Sequence, residues 1–199
     1  MAALPQPRLT PEQYLELERA VEFRHEYYQG RMYPVNDPTE AMAGGSPNHS
    51  LIKVNLSSEL REALKQRPCR VFDSDMRVSA ALEGLYAYPD ITVVCSAPQY
   101  VDGRKDTLLN PVLVAEVLSP STEGRDRGFK ATQYRSITSL QEYVLVSQTE
   151  PRVEIHRRRS TDEWSLIDIA GLVGIVELAS ITCRVPMAEI YDKVEFEAA

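Results

Sequence analysis

One segment constrains the fold of this chain more than any other. From Pro111 to Leu118 the sequence is a nearly continuous apolar run, in which only Glu116 is charged. Such a run is typical of a strand that is covered on both faces, as in the middle of a sheet flanked by helices. A carboxylate is rarely buried without a partner, because desolvating its charge costs several kcal/mol. Glu116 is therefore expected either to pair with a base or to bind a cation at the strand end.

The rest of the chain alternates between helical and strand patterns. Thr10, Pro11 and Gln13 have the spacing of a capped helix start, and a hairpin is expected around Gly30. Helical spacing of leucines predicts a second helix over 47–65, after a loop over 37–48 that is rich in Gly, Pro and polar residues. A short helix is expected over 125–135. The remaining predicted strands cover 70–72, 76–79, 88–95, 142–146, 153–156, 164–169 and 176–178. This order indicates an α/β or α+β fold around one mixed sheet.

Composition narrows the class of protein. A length of 199 residues fits one domain or at most two small ones. The formal net charge of −7 argues against a protein that coats nucleic acid non-specifically, but it permits an enzyme with a local basic groove. No apolar run has the length of a membrane span, and the first seven residues lack the apolar run of a signal peptide. We therefore expect a cytoplasmic protein.

Three cysteines, Cys69, Cys95 and Cys183, lie far apart along the chain. Their odd number and wide spacing favour reduced, mostly buried thiols over a zinc site or a disulfide framework.

Two carboxylates interrupt apolar strands at comparable positions. Asp90 precedes Ile91–Val94, and Glu116 lies near the end of the strand over 111–118. If the strands are adjacent, the two side chains form a site of hard oxygen ligands suited to Mg²⁺ or Mn²⁺. The residues alone leave an alternative of equal weight, in which one carboxylate caps a strand end and the other belongs to a buried ion pair.

These residues resemble a known signature. Pro89-Asp90 followed by Glu116-Val117-Leu118 is similar to the motif of the PD-(D/E)XK nuclease superfamily, except that Leu118 stands where that motif has lysine. In some branches of the superfamily the lysine lies on the following helix, where this chain has Lys130. A closer resemblance is to a bacterial restriction endonuclease family called Uma-two, over about 15–158. The segments similar to that family are His25-Glu26-Tyr27, Asn48-His49-Ser50, Ser74–Val78, Tyr88-Pro89-Asp90, Glu116–Thr122 and Glu142–Val146.

The resemblance implies a fold, a reaction and a set of site residues. It implies one restriction-endonuclease-like domain over 10–193, a mixed sheet flanked by helices, with tails at 1–9 and 194–199. It also implies a metal-dependent endonuclease that hydrolyses DNA phosphodiester bonds. Mg²⁺ or Mn²⁺ would be held by Asp90, Glu116 and the Val117 carbonyl, and Lys130 would orient the attacking water. Glu26 would supply a further carboxylate.

Other residues have two open interpretations. His49 is either part of the site or a cap at the start of its helix. Lys130 and Glu26 could be ordinary surface residues, and Asp126 is expected to brace the helix that carries Lys130. The DNA contacts predicted from charge are Arg127, Lys130, Arg157, Arg158 and Arg159, although runs such as 157–159 are most often solvated strand ends.

Two other function classes remain. The chain could be a catalytically silent nuclease-fold module that binds nucleic acid or protein, since a fold does not by itself imply an activity. A hydrolase with a Ser or Cys nucleophile is less favoured, because no histidine accompanies a nucleophile-elbow pattern. A homodimer is plausible for an enzyme that cuts both strands.

Overall fold

The computed structural model describes residues 8–35, 46–80 and 84–196. The helical elements are α1 (Pro11–Glu18), α2 (Pro47–Leu64), α3 (Glu123–Arg125), a π-helical turn (Asp126–Lys130), α4 (Ala131–Arg135), a 3₁₀ turn (Ala179–Ile181) and α5 (Met187–Ile190). The strands are β1 (His25–Tyr28), β2 (Arg31–Pro34), β3 (Arg70–Asp73), β4 (Arg77–Ser79), β5 (Tyr86–Ala87), β6 (Ile91–Val94), β7 (Thr107–Leu108), β8 (Leu113–Leu118), β9 (Glu142–Ser147), β10 (Arg152–Arg158), β11 (Trp164–Ala170), β12 (Ile175–Leu178) and β13 (Cys183–Pro186).

These strands form three sheets among the described residues. The central one has six strands in the order β11-β10-β9-β8-β6-β3, and only its β8–β9 pair is parallel. A second sheet has the order β2-β1-β5-β4-β7, and β12 and β13 form a separate ribbon. The mixed α+β architecture confirms the predicted fold class, whereas the sequence indicated one sheet where the structure has three.

The helix starts follow the predicted local rules. Thr10 Oγ1 accepts a hydrogen bond from the Gln13 amide, and the Gln13 side chain accepts one from the Thr10 amide, which completes the capping box of α1. Ser46 caps α2, whose first residue is Pro47. The β1–β2 hairpin turns at Gln29 and Gly30, both with positive φ (46° and 86°). This is the backbone that a tight two-residue hairpin requires.

Strand β8 is buried on both faces because helices and strands cover each side of the central sheet. Leu113, Ala115 and Val117 face the core that α2 forms with β12, β13 and α5. Val114 and Leu118 face a second core, built around α4 and the second sheet. Alternation along the strand places Glu116 on the side of Val114 and Leu118. The only charged residue of β8 therefore points into the space between the central sheet and the helix that carries Lys130.

The structure corrects the cysteine prediction. Cys69 and Cys95 form a disulfide with their Cα atoms 3.8 Å apart, whereas Cys183 is a buried free thiol. The pairing of β3 with β6 opposes Arg70 to Val94, so it also brings the two flanking cysteines together. Spacing along the chain could not reveal this proximity. The prediction of three reduced thiols is wrong for Cys69 and Cys95.

Other features of the structure concern the predicted helix and the two ends of the chain. The helix expected over 125–135 is present but contains the π-helical turn. Most of the loop predicted over 37–48, and most of the N-terminal tail, lie outside the described residues. At the other end, Val194 and Phe196 pack against the core beside α2. Within the part of the chain that the structure describes, no helix is long and apolar enough to cross a membrane.

Candidate active site

The two predicted metal ligands lie on neighbouring strands. The register of β6 with β8 pairs Ile91 with Ala115, and its continuation places Asp90 opposite Glu116. Each carboxylate binds the backbone of the other strand. The Val117 amide donates to Asp90 Oδ2 over 2.9 Å, and the Asp90 amide donates to Glu116 Oε2 over 3.2 Å. These reciprocal hydrogen bonds fix both side chains at the same end of the strand pair.

Lys130 enters this site from the helix rather than from β8. It is the last residue of the π-helical turn, and its Nζ lies 3.1 Å from oxygens of Glu116, Glu26 and Asp126. A π turn inserts one residue into a helix, and such turns occur frequently at functional sites. Here the turn places Lys130 and Asp126 together on the buried side of the helix. The Lys130 ammonium thus contacts Glu116 from the helix, whereas position 118 of the strand is occupied by Leu118.

The carboxylates around Lys130 have other donors as well. Tyr134 donates a hydrogen bond to Glu116 Oε1 over 3.2 Å, and Arg125 Nη2 lies 2.6 Å from Glu26 Oε2. Glu26 Oε2 and Asp126 Oδ1 are buried within ion-pair distance of these cations but receive no hydrogen bond of good geometry. Two carboxylate oxygens in this cluster are therefore poorly satisfied.

Helix α2 supplies the opposite wall of the site. His49 Nε2 lies 3.3 Å from Asp90 Oδ2, and Lys53 Nζ lies 4.0 Å from Asp90 Oδ1. Residues four apart share one helical face, so a single face of α2 presents both bases to Asp90. Burial raises the pKa of Asp90, but the His49 contact, the Val117 amide and Lys53 together hold it below its ordinary value. Asp90 is therefore an anion at neutral pH.

Glu116 has the opposite electrostatic character. It is 4% exposed, and burial, aided by Asp126, Asp90 and Glu26, raises its pKa to about 8 even though Lys130 lowers it. Paired carboxylates whose pKa values are driven apart are a common feature of catalytic sites. A further cation beside the pair would lower the pKa of Glu116, as Lys130 does.

The structure places the predicted DNA-contacting arginines in different environments. Arg127 pairs with Glu123 and with Glu154 beside the site. Arg157 binds Glu142 over 2.7 Å and the Glu177 carbonyl, at the end of the sheet remote from Glu116. Their roles in DNA binding stay predictions.

The two neighbours of Arg157 also contact the protein itself. The Arg158 guanidinium donates to four backbone carbonyls and lies over the ring of Trp164. Arg159 is bound to the Ser165 hydroxyl. The structure therefore does not bring 157–159 to the carboxylate pair.

Comparison with known proteins identifies the family of this chain. The model of the Uma2 family, described as "Putative restriction endonuclease", matches residues 11–182. The chain belongs to the Uma2 family. Two proteins of Synechocystis sp. are similar over most of their length: slr1290 is 35% identical, over 96% of both chains, and sll1609 is 36% identical, over 86% of this chain and 93% of its own.

A solved structure shares the fold. A crystal structure titled as a putative nuclease belonging to DUF820, from Anabaena variabilis, has a TM-score of 0.73. It is 18% identical and covers 94% of this chain and 99% of its own. The likeness to a structure described as a nuclease supports the fold that the resemblance implied.

The donor set of this Uma2 chain fits a small hard cation. Among residues 8–35, 46–80 and 84–196, no group of three or more His, Cys, Asp or Glu side chains is arranged to hold a metal ion. Mg²⁺ does not need such a cage, because it commonly binds one or two carboxylates and keeps water and substrate phosphate as its other ligands. Asp90 and Glu116 meet that lesser requirement.

The sequence interpretation missed several members of the site. Lys53 lies four residues after His49, and Tyr134 lies four residues after Lys130. Both follow from helical spacing, once the first residue of each pair is suspected. Arg125 had no comparable signal, because its contact with Glu26 joins two segments that are distant in sequence.

Proposed function

We propose that this Uma2 chain is a divalent-metal-dependent endonuclease that hydrolyses phosphodiester bonds in DNA. The observation that carries the proposal is the 3.1 Å contact between Lys130 Nζ and Glu116 Oε1, beside an Asp90 fixed to the same strand end. The aspartate, the glutamate and the lysine of the nuclease signature are thus side by side, although the lysine comes from a helix.

The two carboxylates and the Val117 carbonyl are the groups that would hold Mg²⁺ or Mn²⁺. Such an ion, when bound, lowers the pKa of a water molecule and stabilises charge on a phosphate. Asp90 is suited to recruiting it, because its pKa is held below the ordinary value. Glu116, whose pKa is raised to about 8, is the carboxylate that gains most from a neighbouring cation.

Lys130 acts as a fixed cation rather than as a base. Burial alone would lower its pKa, but Glu116, Glu26 and Asp126 raise it well above the ordinary value. The ammonium therefore keeps its proton, orients the attacking water and opposes the charge that develops on the phosphate. A preorganised donor of this kind typically contributes a factor of about 10²–10³ in rate.

Glu26, Arg125 and His49 are positioning residues in this scheme. Glu26 holds the Lys130 ammonium on one side and Arg125 on the other. His49 orients the Asp90 carboxylate from α2. All three act on a group that would contact the metal or the phosphate, so their substitution should lower the rate less than loss of Asp90.

A plasmid-nicking assay with Mg²⁺, with Mn²⁺ and with chelator tests the proposal. Cleavage by the wild type should require the ion, and Asp90→Asn should reduce it by roughly 100-fold or more, since even ligand-supporting residues commonly contribute 10–100-fold. Asp102→Asn is the matched control: Asp102 is 38% exposed and pairs with Arg19, away from the site. Its rate should stay within a factor of about two, the effect expected of an exposed pair.

DNA binding separates this proposal from the silent alternative. Without a bound cation, the Asp90 anion would repel a phosphate, so duplex affinity should be higher in Ca²⁺ than in chelator at fixed ionic strength. Asp90→Asn should bind better than the wild type in chelator. Metal-dependent DNA binding without any cleavage would indicate the silent module. If neither the ion nor Asp90→Asn changes affinity, the phosphate does not approach this pair and the proposal fails.

A further inference from the structure

A polar stripe on α2 begins at the candidate active site. His49, Lys53, Ser57, Arg61 and Lys65 follow each other at four-residue intervals. Successive members are displaced by about 6 Å along the helix and by about 40° around it, because a helix rises 1.5 Å and turns 100° per residue. They therefore form a continuous line that winds by about 160° around the helix from His49 to Lys65.

The start of the stripe is fixed by Asp90. His49 and Lys53 both face that carboxylate, at 3.3 and 4.0 Å. Lys53 also donates a hydrogen bond to the Ser74 hydroxyl, in the turn between β3 and β4. Lys53 thus connects the candidate metal ligand to the surface on which the stripe continues.

Beyond Lys53 the stripe lies in a groove between α2 and that turn. The groove encloses about 530 Å³, and the groups in it that could donate to an anion belong to Lys53, Ser57, Ser58, Arg61, Lys65 and Ser74. Three cations and several hydroxyl groups along one line are the donors that proteins direct at phosphate oxygens.

Among the described residues, one cation of the groove has no carboxylate partner. In the part of the chain that the structure describes, no carboxylate lies within ion-pair distance of Arg61, which is exposed. Lys65 lies 3.6 Å from Glu62 and keeps 66% of its side chain exposed. Glu62 and Asp73 also line the groove, so three cations against two carboxylates leave it with a net charge of +1, in a chain of net charge −7.

We propose that this groove binds the phosphodiester backbone of the DNA flank that leaves the Asp90–Glu116 site. The inference rests on the proposed function and extends it, because it says where the substrate runs. From Lys53 to Lys65 the helix spans about 18 Å, which corresponds to about five base pairs at 3.4 Å each. The contacts are to the backbone, so they add affinity without sequence preference.

The arginine run over 157–159 cannot supply the same contact as readily. Two of its three guanidinium groups are bound by Glu142 and by backbone carbonyls, and the run lies at the other end of the central sheet. Arg61 and Lys65 are exposed on a helix that starts at the site. The groove thus provides the local basic surface that an acidic nuclease needs.

Binding of two unrelated duplexes of about 30 base pairs, followed by fluorescence anisotropy in Ca²⁺ over a range of salt, tests the inference. The probe variant is Arg61→Gln with Lys65→Gln. The control is Arg104→Gln with Lys105→Gln, which removes the same charge from an exposed loop remote from α2. Through counterion release, each phosphate contact raises the affinity for DNA roughly fivefold at 0.15 M salt. Loss of two contacts in the probe variant should therefore weaken the binding of both duplexes roughly 30-fold. It should also reduce the salt slope by about 1.8, since each contact contributes about 0.9.

The outcomes separate this inference from the proposed function. If the wild type binds in Ca²⁺ but the probe variant binds as tightly, or no more weakly than the control, the groove is not the DNA path while the nuclease proposal stands. If Arg159→Gln reduces the salt slope and the probe variant does not, the flank crosses the other end of the sheet. A wild type that neither binds nor cuts duplex DNA overturns both. Because both probe positions are exposed, an unchanged thermal unfolding midpoint verifies the fold.

Discussion

Two buried ionic networks in this protein are built from similar residues but have different electrostatic character. One surrounds Arg77, in the second sheet, and the other surrounds Lys130, beside the central sheet. Both contain a cation that is almost fully buried, with one carboxylate beside Arg77 and three around Lys130. The two networks differ in whether the fold stabilises or destabilises the anionic form of their carboxyl groups.

The Arg77 network is well satisfied. Its guanidinium donates to the Thr107 and Tyr88 hydroxyls over 2.8 and 2.9 Å and lies 3.3 Å from Asp106. Arg19 also donates two hydrogen bonds to Asp106, and this pairing, with help from Arg77, lowers the pKa of Asp106 to about 2 despite partial burial. The folded protein stabilises this carboxylate as an anion.

The Lys130 cluster instead destabilises the anionic form of its carboxyl groups. Burial raises the pKa of Asp126 and of Glu116, and the attraction of Lys130 does not offset it. Poorly satisfied oxygens remain on Asp126 and Glu26. Among the described residues, Glu116 and Asp126 are the carboxyl groups whose pKa is raised, and both lie against Lys130. Perturbed pKa values of this kind cluster at functional sites, which is consistent with the proposed role of this cluster.

The largest expected effect is on stability, at Lys130. Lys130→Met leaves three buried carboxylates without their shared cation, and breaking a buried ion network by removing one partner typically costs about 3–5 kcal/mol. The midpoint of thermal unfolding should fall by roughly 10 °C for a chain of this size. Differential scanning calorimetry measures it.

A second substitution identifies the cause of that loss. Adding Glu26→Gln to Lys130→Met should recover part of the lost stability, because the defect is an excess of negative charge and the two residues are in contact. If the effects of the two substitutions on stability simply add, the carboxylates do not repel each other. The contrast with the Arg77 network would then have no basis.

A smaller effect is expected from divalent ions. Mg²⁺ or Mn²⁺ at 100 times its dissociation constant should stabilise the wild type by about 2.7 kcal/mol. Asp106→Asn, in the Arg77 network, should respond as the wild type does, whereas Asp90→Asn should show little shift. The readout is the unfolding midpoint in the ion and in chelator. An equal shift in all three proteins would mean that the ion binds elsewhere.

The smallest effect concerns acid stability in the Arg77 network. The pKa of Asp106 is lower in the folded state, so its contribution is present above the unfolded pKa of about 4 and is lost as the pH falls towards 2. The contribution of Asp106 to the free energy of unfolding should be at most about 1 kcal/mol, because the carboxylate is 35% exposed. The difference in midpoint between the wild type and Asp106→Asn should therefore shrink between about pH 5 and pH 2. A difference that is constant over this range would show that charge is not what Asp106 contributes.

Local sequence rules predicted much of the fold. The capping box at Thr10, the start of α2 at Pro47 and the buried strand β8 all follow from neighbouring residues, and the structure has each of them. The division into separate sheets could not be predicted, because it depends on which strands pair at long range. The disulfide between Cys69 and Cys95 has the same origin in strand pairing.

The site was predictable in part for similar reasons. Asp90 and Glu116 interrupt apolar strands, so their positions were visible as exceptions to a pattern. The contact of Lys130 with Glu26 was not, since it depends on a π turn and on a strand of the other sheet. The charge density of the arginine run over 157–159 suggested DNA contacts. The cations of α2 gave no comparable signal, because apolar residues lie between them in the sequence.

The most direct test of the metal site is a crystal soaked with Mn²⁺ and measured for anomalous scattering. We expect a peak between the carboxylates of Asp90 and Glu116, at the end of the β6–β8 pair, and its loss in Asp90→Asn. No peak at that position in a crystal that holds Mn²⁺ elsewhere would contradict the proposed metal site, and the carboxylate pair would then be a structural feature of the fold.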